Sequence, residues 1–329
     1  MSFSSLGLTQ QLISTLSKLG YSEPSPIQLE AIPQILAGRD VMARAQTGTG
    51  KTAAFALPLL HLIKKNSTFE VETETISANV IPTITLSTLV LTPTRELAQQ
   101  VHASFIKYGQ DSKLTTVLAY GGVSINPQID ALRHGADILV ATPGRLLDLL
   151  FKNILDLSQV KHIVFDEADR MLDMGFMPDI NRILKALPIK RQTLLFSATF
   201  DDAIFKLSKT LLTNPKLIEI DEKNTAATQV EQMVYAVDED RKRELTSYLI
   251  GSKNWHQVLI FTRTKQGADA LAKEMRKDGI KTETIHGDKS QGARERALAD
   301  FKENKVRALV ATDVAARGLD IEQLKYVIN

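Results

Sequence analysis

No cysteine occurs in the 329 residues. Disulfides, thiolate metal sites and thiol nucleophiles are therefore excluded, and the composition fits a reducing compartment. No apolar run approaches the roughly 20 residues that a helix needs to cross a bilayer. The stretch Met1–Leu19 lacks the basic start and apolar centre of a secretion signal. A cytoplasmic monomer with no membrane partner is expected. An excess of one charge is missing too: 40 basic residues face 38 acidic ones, for a net charge of +2. That balance neither requires nor forbids a nucleic-acid partner, because a local basic stripe matters more than the total. What is present is ordinary for a chain with a real core, 43% apolar and 24% charged. The length fits two domains.

Short β-branched runs alternate with helical patterns. Leu89–Leu91, Thr116–Ala119, Ile138–Ala141, His162–Phe165 and Thr193–Phe196 read as buried strands. Arg95–Tyr108, Gly144–Phe151 and Pro178–Leu187 read as the helices between them. Such alternation predicts an α/β fold with a parallel sheet covered on both faces. The pattern restarts with strands at Val258–Phe261, Thr282–Ile285, Ala308–Ala311 and Tyr326–Ile328, and helices at Lys265–Lys277 and Ala293–Phe301. The polar stretch Asp221–Thr228 is the expected linker, dividing 1–220 from 229–329. Asn66–Ser87, rich in Thr, Glu and Ser, reads as an exposed loop. The charge run Asp238–Glu244 reads as the solvated start of a helix.

Ala45-Gln46-Thr47-Gly48-Thr49-Gly50-Lys51-Thr52 follows a short strand, Asp40–Ala43, and precedes a helix. Phosphate oxygens need several inward-pointing backbone N–H groups, so glycines must let the ligand approach. Lys51 supplies a point charge for the terminal phosphates and Thr52 a hydroxyl for Mg²⁺. Ala45 stands where the general motif has glycine, which weakens the motif when it is taken alone. Asp166-Glu167-Ala168-Asp169 sits at the carboxyl end of the strand His162–Phe165, the edge where ligands bind in open parallel sheets. Asp166 suits a Mg²⁺ beside the phosphates, and Glu167 suits the orientation or deprotonation of a water. Alone, two acids at a strand end are more often a helix cap than a metal site. The phosphate loop upstream favours the chemical reading. Gln28, at the start of a helix, could pair with adenine N6 and N7 through its amide. Phe3 could stack on the base.

These residues carry a family resemblance. The Gln28 segment, Ala45–Thr52, Pro93-Thr94-Arg95-Glu96-Leu97-Ala98, Thr142-Pro143-Gly144-Arg145, Asp166–Asp169 and Ser197-Ala198-Thr199 occur in order. The second half adds Leu259–Arg263, Gln291–Arg294 and Ala311–Asp320. The chain resembles DEAD-box ATP-dependent RNA helicases along essentially its whole length. Met1–Leu8 and Gly121–Gln128 look most like the bacterial RhlE subgroup. The resemblance implies two RecA-like domains, each a parallel sheet flanked by helices. It also implies a further His-Arg-Ile-Gly-Arg-Thr-Gly-Arg motif, with an arginine finger, beyond Asn329, so the second domain is expected to be incomplete.

The resemblance further assigns roles. Phe3, Gln28 and the loop Ala45, Gln46, Thr47, Gly48, Thr49, Gly50, Lys51 and Thr52 would bind ATP. Asp320 would touch its ribose from the second domain. Thr52 and Asp166 would hold Mg²⁺, and Lys51, Asp166 and Glu167 would serve hydrolysis. Ser197 and Thr199 would couple the ATP state to RNA. Arg95, Gly122, Thr142, Arg145, Arg263, Arg294 and Thr312 would grip the RNA backbone, with little sequence preference. Taken singly, Arg145 could serve a helix cap, Arg294 could be an ordinary surface charge, and Ser197-Ala198-Thr199 could be a strand-end turn. The implied activity is ATP hydrolysis used to bend and locally open short duplexes or to remodel RNA–protein complexes. Ribosome-assembly or RNA-decay complexes are the implied partners. An RNA clamp or assembly scaffold with little unwinding, or a DNA translocase of the same superfamily, are the alternatives. A GTPase is disfavoured, because no Asn-Lys-x-Asp element occurs and Asn304-Lys305-Val306-Arg307 lacks the acid.

Overall fold

Strands buried on both faces should be largely apolar, and the first half of the chain builds the centre of its sheet from such segments. The computed structural model describes residues 2–46, 48–66, 84–220, 231–312, 321 and 324–329. The expectations for Thr47, for the linker at Asp221–Thr228 and for Asp313–Asp320 fall outside those residues. The chain divides into two compact units, Met1–Lys223 and Asn224–Asn329.

The first unit contains β1 (Val41–Arg44), β3 (Thr88–Leu91), β4 (Thr116–Ala119), β5 (Ile138–Ala141), β7 (His162–Asp166), β8 (Gln192–Ser197) and β9 (Lys216–Glu219). They form one sheet in the order β4-β5-β3-β7-β8-β1-β9, with every pairing parallel. Alternate residues point to opposite faces. Val41, Ala43, Val90, Val164, Leu194 and Phe196 therefore meet one helical layer: α1 (Gln10–Lys18), α2 (Pro26–Leu36), α3 (Lys51–Asn66) and α4 (Arg95–Gly109). Met42, Leu91, Ile163, Phe165 and Leu195 meet the other: α5 (Asn126–Arg133), α6 (Pro143–Phe151), α7 (Ala168–Asp173), α8 (Met177–Ala186) and α9 (Asp202–Leu211). Phe55, Phe105 and Phe196 fill the centre of the first layer.

The expected loop Asn66–Ser87 needs correcting at both ends. Asn66 closes α3, and β2 (Ile84–Thr85) pairs with β6 (Leu155–Asp156). That pairing satisfies backbone groups which a Thr- and Ser-rich sequence seemed to leave to water.

The second unit holds β10 (Val258–Thr262), β11 (Thr282–Ile285), β12 (Ala308–Thr312) and β13 (Tyr326–Ile328), parallel and in the order β11-β12-β10-β13. On one face α10 (Lys242–Ser252) and α11 (Lys265–Lys277) pack Ile250, Ala268, Ala272 and Met275 against Val258, Ile260 and Val310. On the other, α12 (Gln291–Lys302) packs Ala297 and Phe301 against Leu259, Leu309 and Ala311. The charged run 238–244 is mostly exposed and leads through a short 3₁₀ turn into α10. Both units have the α/β architecture of parallel sheets flanked by helices that the sequence pattern implied.

Candidate active site

Topology brings the carboxyl ends of β1, β8 and β7 side by side. The phosphate-type loop leaves β1, and Ala45 N donates to Ser197 O at 3.1 Å. Ala45 is fully enclosed, so a small side chain is required there. Gly48 and Gly50 both adopt positive φ, +88° and +91°, a conformation that glycine takes without strain. Gly50 has a second constraint: a Cβ there would collide with the Gln28 amide. That amide is engaged at both ends, its Oε1 accepting from Ser25 N (3.0 Å) and its Nε2 donating to Gly50 O (3.1 Å). Gln28 thus braces the loop to the start of α2. Thr49 Oγ1 closes the loop on Gln46 O at 2.7 Å, and Thr52 is half-buried in the first turn of α3. Phe3 is 5% exposed and packed in the core with Leu6 and Leu8. Its ring is not presented as an open stacking platform.

Lys51 is buried at the start of α3, and its Nζ has no hydrogen-bond partner among the described residues. Asp166 ends β7, also buried, with Oδ1 equally unpartnered. Burial raises its pKa, and the Lys51 charge opposes that shift. Ser197 Oγ, at the end of the intervening strand, is likewise buried without a partner among the described residues. Leaving such groups bare costs about 1–3 kcal/mol each, more for charged ones. Two of them end the neighbouring strands β7 and β8 and the third opens the helix after β1, an arrangement suited to an external ligand with acceptor oxygens and a cation. The donor set suits a triphosphate with Mg²⁺: an ammonium, a hydroxyl and a carboxylate, beside a glycine loop at a helix start.

Glu167 follows with φ +55°, an uncommon conformation for a residue with a side chain. Burial lifts its carboxyl to about 7; the Arg170 ion pair pulls down and the Asp166 charge pushes up. A carboxylate near 7 suits proton transfer at physiological pH. Asp169 is the second residue of α7. Its Oδ2 accepts from Ala198 N (3.1 Å), Thr199 N (3.1 Å) and Thr199 Oγ1 (3.3 Å). The Ser197-Ala198-Thr199 turn therefore hangs from the acidic motif.

The other half of the same edge, at β3, β4 and β5, gathers the basic residues. Thr94 caps α4, its Oγ1 accepting from Leu97 N at 3.3 Å, and Arg95 opens that helix. Gly122, at φ +82°, lies so close to the Arg95 guanidinium that a Cβ would overlap it. Arg145 is buried. Its Nη1 donates to Gln128 Oε1 (2.8 Å), its Nη2 to Val123 O (2.8 Å), and its Nε lies 3.4 Å from Asp148. Gln128 Nε2 in turn donates to Tyr120 O at 3.1 Å. Thr142 precedes α6 and donates its N–H to Ala119 O at 3.0 Å. Arg95 at the start of α4 and the N-terminus of α6, whose turn the buried Arg145 braces, suit backbone phosphates.

In the second unit, Thr262 and Thr312 end neighbouring strands β10 and β12. Arg263 is exposed, and Arg294 is half-buried in α12 with Nη1 3.4 Å from Gln291 Oε1. Asp269 on α11 organises the turn after β11: it meets Lys289 (2.9 Å), Thr284 (3.0 Å) and His286 (3.1 Å). The Lys289 bond is the largest cause drawing its carboxyl down to about 2. Sequence reasoning missed Asp269, Gln128 and the tether made by Asp169. Only Gln128 left a signal, as an amide on the buried side of an amphipathic helix.

The DEAD/DEAH box helicase family model matches residues 25–207, and the helicase conserved C-terminal domain model matches 240–329. The DEAD-box ATP-dependent RNA helicase RhpA of Helicobacter pylori is 41% identical over 328 residues, which is 100% of this chain and 63% of RhpA. The ATP-dependent RNA helicase CshA of Listeria monocytogenes is 41% identical over 99% of this chain and 60% of its own length. The chain thus spans about three fifths of these relatives. Among solved structures, S. cerevisiae Dbp5 bound to RNA and ADP BeF3 superposes with a TM-score of 0.84 at 32% identity, covering 100% of this chain and 80% of that one. A DEAD box protein from Methanococcus jannaschii gives 0.58 at 37% identity, covering 100% and 85%.

Proposed function

The chain belongs to the DEAD/DEAH box helicase family, and on that premise we propose that its protein hydrolyses ATP to grip RNA by its backbone and open short duplexes. The observation that carries this reading is the trio of buried, unpartnered groups, Lys51 Nζ, Asp166 Oδ1 and Ser197 Oγ. Each lies where the glycine loop would present the terminal phosphates.

Lys51 and the loop N–H groups bind the phosphates. Thr52 and Asp166 would hold Mg²⁺, which supplies neutralisation of charge on the phosphate oxygens. Glu167 orients the attacking water and takes its proton, a role for which its raised pKa is suited. Ser197 senses the phosphate end, and Thr199, tied to Asp169, passes its state along the edge. Gln28 reads adenine through the same amide that braces Gly50. Arg95, Gly122, Thr142 and Arg145 hold RNA phosphates on the first unit; Arg263, Arg294 and Thr312 do so on the second. The assignments of Thr47 and Asp320 to the nucleotide lie outside the described residues. ATP drives the RNA grip only through contacts made better in the gripping state.

Membership of the RhlE subgroup is part of the proposal, supported by Met1–Leu8 and Gly121–Gln128. Steady-state ATPase assays of the full-length protein with no nucleic acid, single-stranded RNA and single-stranded DNA test the reading. Stimulation by RNA well above DNA is expected. Equal rates in all three would reject an RNA-dependent motor.

A further inference from the structure

Arg44 is the last residue of β1, directly before the loop that begins at Ala45. In the sheet register it lies beside Ser197 on one side and Glu219 on the other. Its carbonyl accepts from Ile220 N at 3.1 Å. Its Nη2 donates to Glu219 Oε2 at 3.0 Å. The same guanidinium lies over the Phe200 ring, 5.9 Å from the centroid. Phe200 directly follows Thr199, and its ring packs on Phe205 of α9 at 5.6 Å.

Three segments therefore meet on one side chain. They are the root of the phosphate loop, the exit of the Ser-Ala-Thr turn, and the strand after which residues 221–230 lead to the second unit. Strand β9 is at the sheet edge and pairs only with β1 among the described residues. Arg44–Glu219 is thus a cross-strand ion pair at the one strand pairing β9 makes among the described residues. A planar guanidinium can accept a ring face and a carboxylate together, which a lysine ammonium does less well.

We propose that Arg44 is a positioning residue that carries the state of the nucleotide site to β9, so that nucleotide and RNA binding are coupled in part through it. This rests on the helicase reading above. When Ser197 engages a phosphate, the turn that carries Phe200 responds, and Arg44 links that response to Glu219. The pair is partly exposed, 32% and 39%, so it adds little to stability by itself. An interaction of that kind is easily remade, as a coupling element requires.

The test uses the full-length protein and measures RNA affinity with and without ADP–beryllofluoride; the ratio is the coupling factor. Arg44→Ala and Glu219→Gln should each lower that ratio by about two- to five-fold, the scale of one partly exposed ion pair. Analogue affinity without RNA should move by less than about two-fold, since neither side chain sits in the loop. Thermal melting of each variant reports folding separately. An unchanged ratio in both variants overturns the proposal, even if melting shifts. So does a loss confined to Arg44→Ala, which would sever the route to β9. A ratio that falls only in step with analogue affinity also overturns it, by making Arg44 part of the binding loop. If the unsubstituted protein shows a ratio of one, the helicase reading itself fails and takes this inference with it.

Discussion

The two halves of the first sheet's carboxyl edge solve opposite problems. Around β1, β8 and β7, buried polar groups are left bare: Lys51 Nζ, Asp166 Oδ1 and Ser197 Oγ. Around β3, β4 and β5, the charged groups are held in place. Arg145 gives Nη1 and Nη2 to Gln128 and Val123, and Gly122 gives Arg95 the space it occupies. The first half holds polar groups that no described residue partners, so a ligand supplying those partners offsets a cost there. The second is preorganised and presents a surface whose shape does not wait for the ligand. The proposed motor would need both, one side that responds to nucleotide and one side that keeps a constant grip geometry.

Substitutions can break that contrast, and the largest effects belong on the bare side. Glu167→Gln should retain ATP affinity while lowering turnover by about 10²–10⁴-fold, the usual share of a general base; paired binding and single-turnover assays check this. An undiminished rate would move the water-activating role elsewhere. Lys51→Ala should cost about 10²–10³-fold in turnover and weaken nucleotide binding as well, since it removes a preorganised charge from the phosphates. Titration calorimetry separates the two losses, and unchanged affinity would detach Lys51 from the nucleotide.

The braced side should respond differently. Gly122→Ala forces a side chain into the Arg95 guanidinium at φ +82°. RNA affinity should fall about ten-fold, the worth of one charged hydrogen bond, with RNA-free ATP affinity unchanged. Fluorescence anisotropy with labelled RNA reads the first quantity. A matching loss in both would mean that the two halves are one site.

The smallest effect sharpens the picture in the second unit. The Asp269 carboxyl sits at about 2, below the ordinary 3.8. Its contribution to stability is therefore present above about 3.8 and lost as pH falls towards 2. Its side chain is 48% exposed, so screening holds that contribution under about 1 kcal/mol. Asp269→Asn should flatten the acid limb of chemical denaturation between those pH values by no more than that. A steeper limb in the variant would contradict the assigned bonds.

Most strands were legible because a segment buried on both faces is apolar nearly throughout, as at Ile138–Ala141 and Ala308–Ala311. Strand β9 was not, because only Ile218 of its four residues is buried. The edge position removes the very pattern that reveals a strand. The β2–β6 pair, two residues on each side, is too short to show any period. Helix α9 carries a readable cap, Asp201 accepting from Ile204 N at 2.8 Å. In the site, residue types at the strand ends could be read from motif order. The partners could not: Gln28 with Gly50, Asp169 with Ala198 and Thr199, and Arg145 with Gln128 are set by tertiary packing between segments far apart in sequence.

A crystal structure with an ATP analogue and Mg²⁺ is the most direct measurement. The expected result is hydrogen bonds from the terminal phosphate or its mimic to Lys51 Nζ and Ser197 Oγ, with the Asp166 carboxylate turned to the cation. A nucleotide bound elsewhere, with those three groups still bare, would contradict the account.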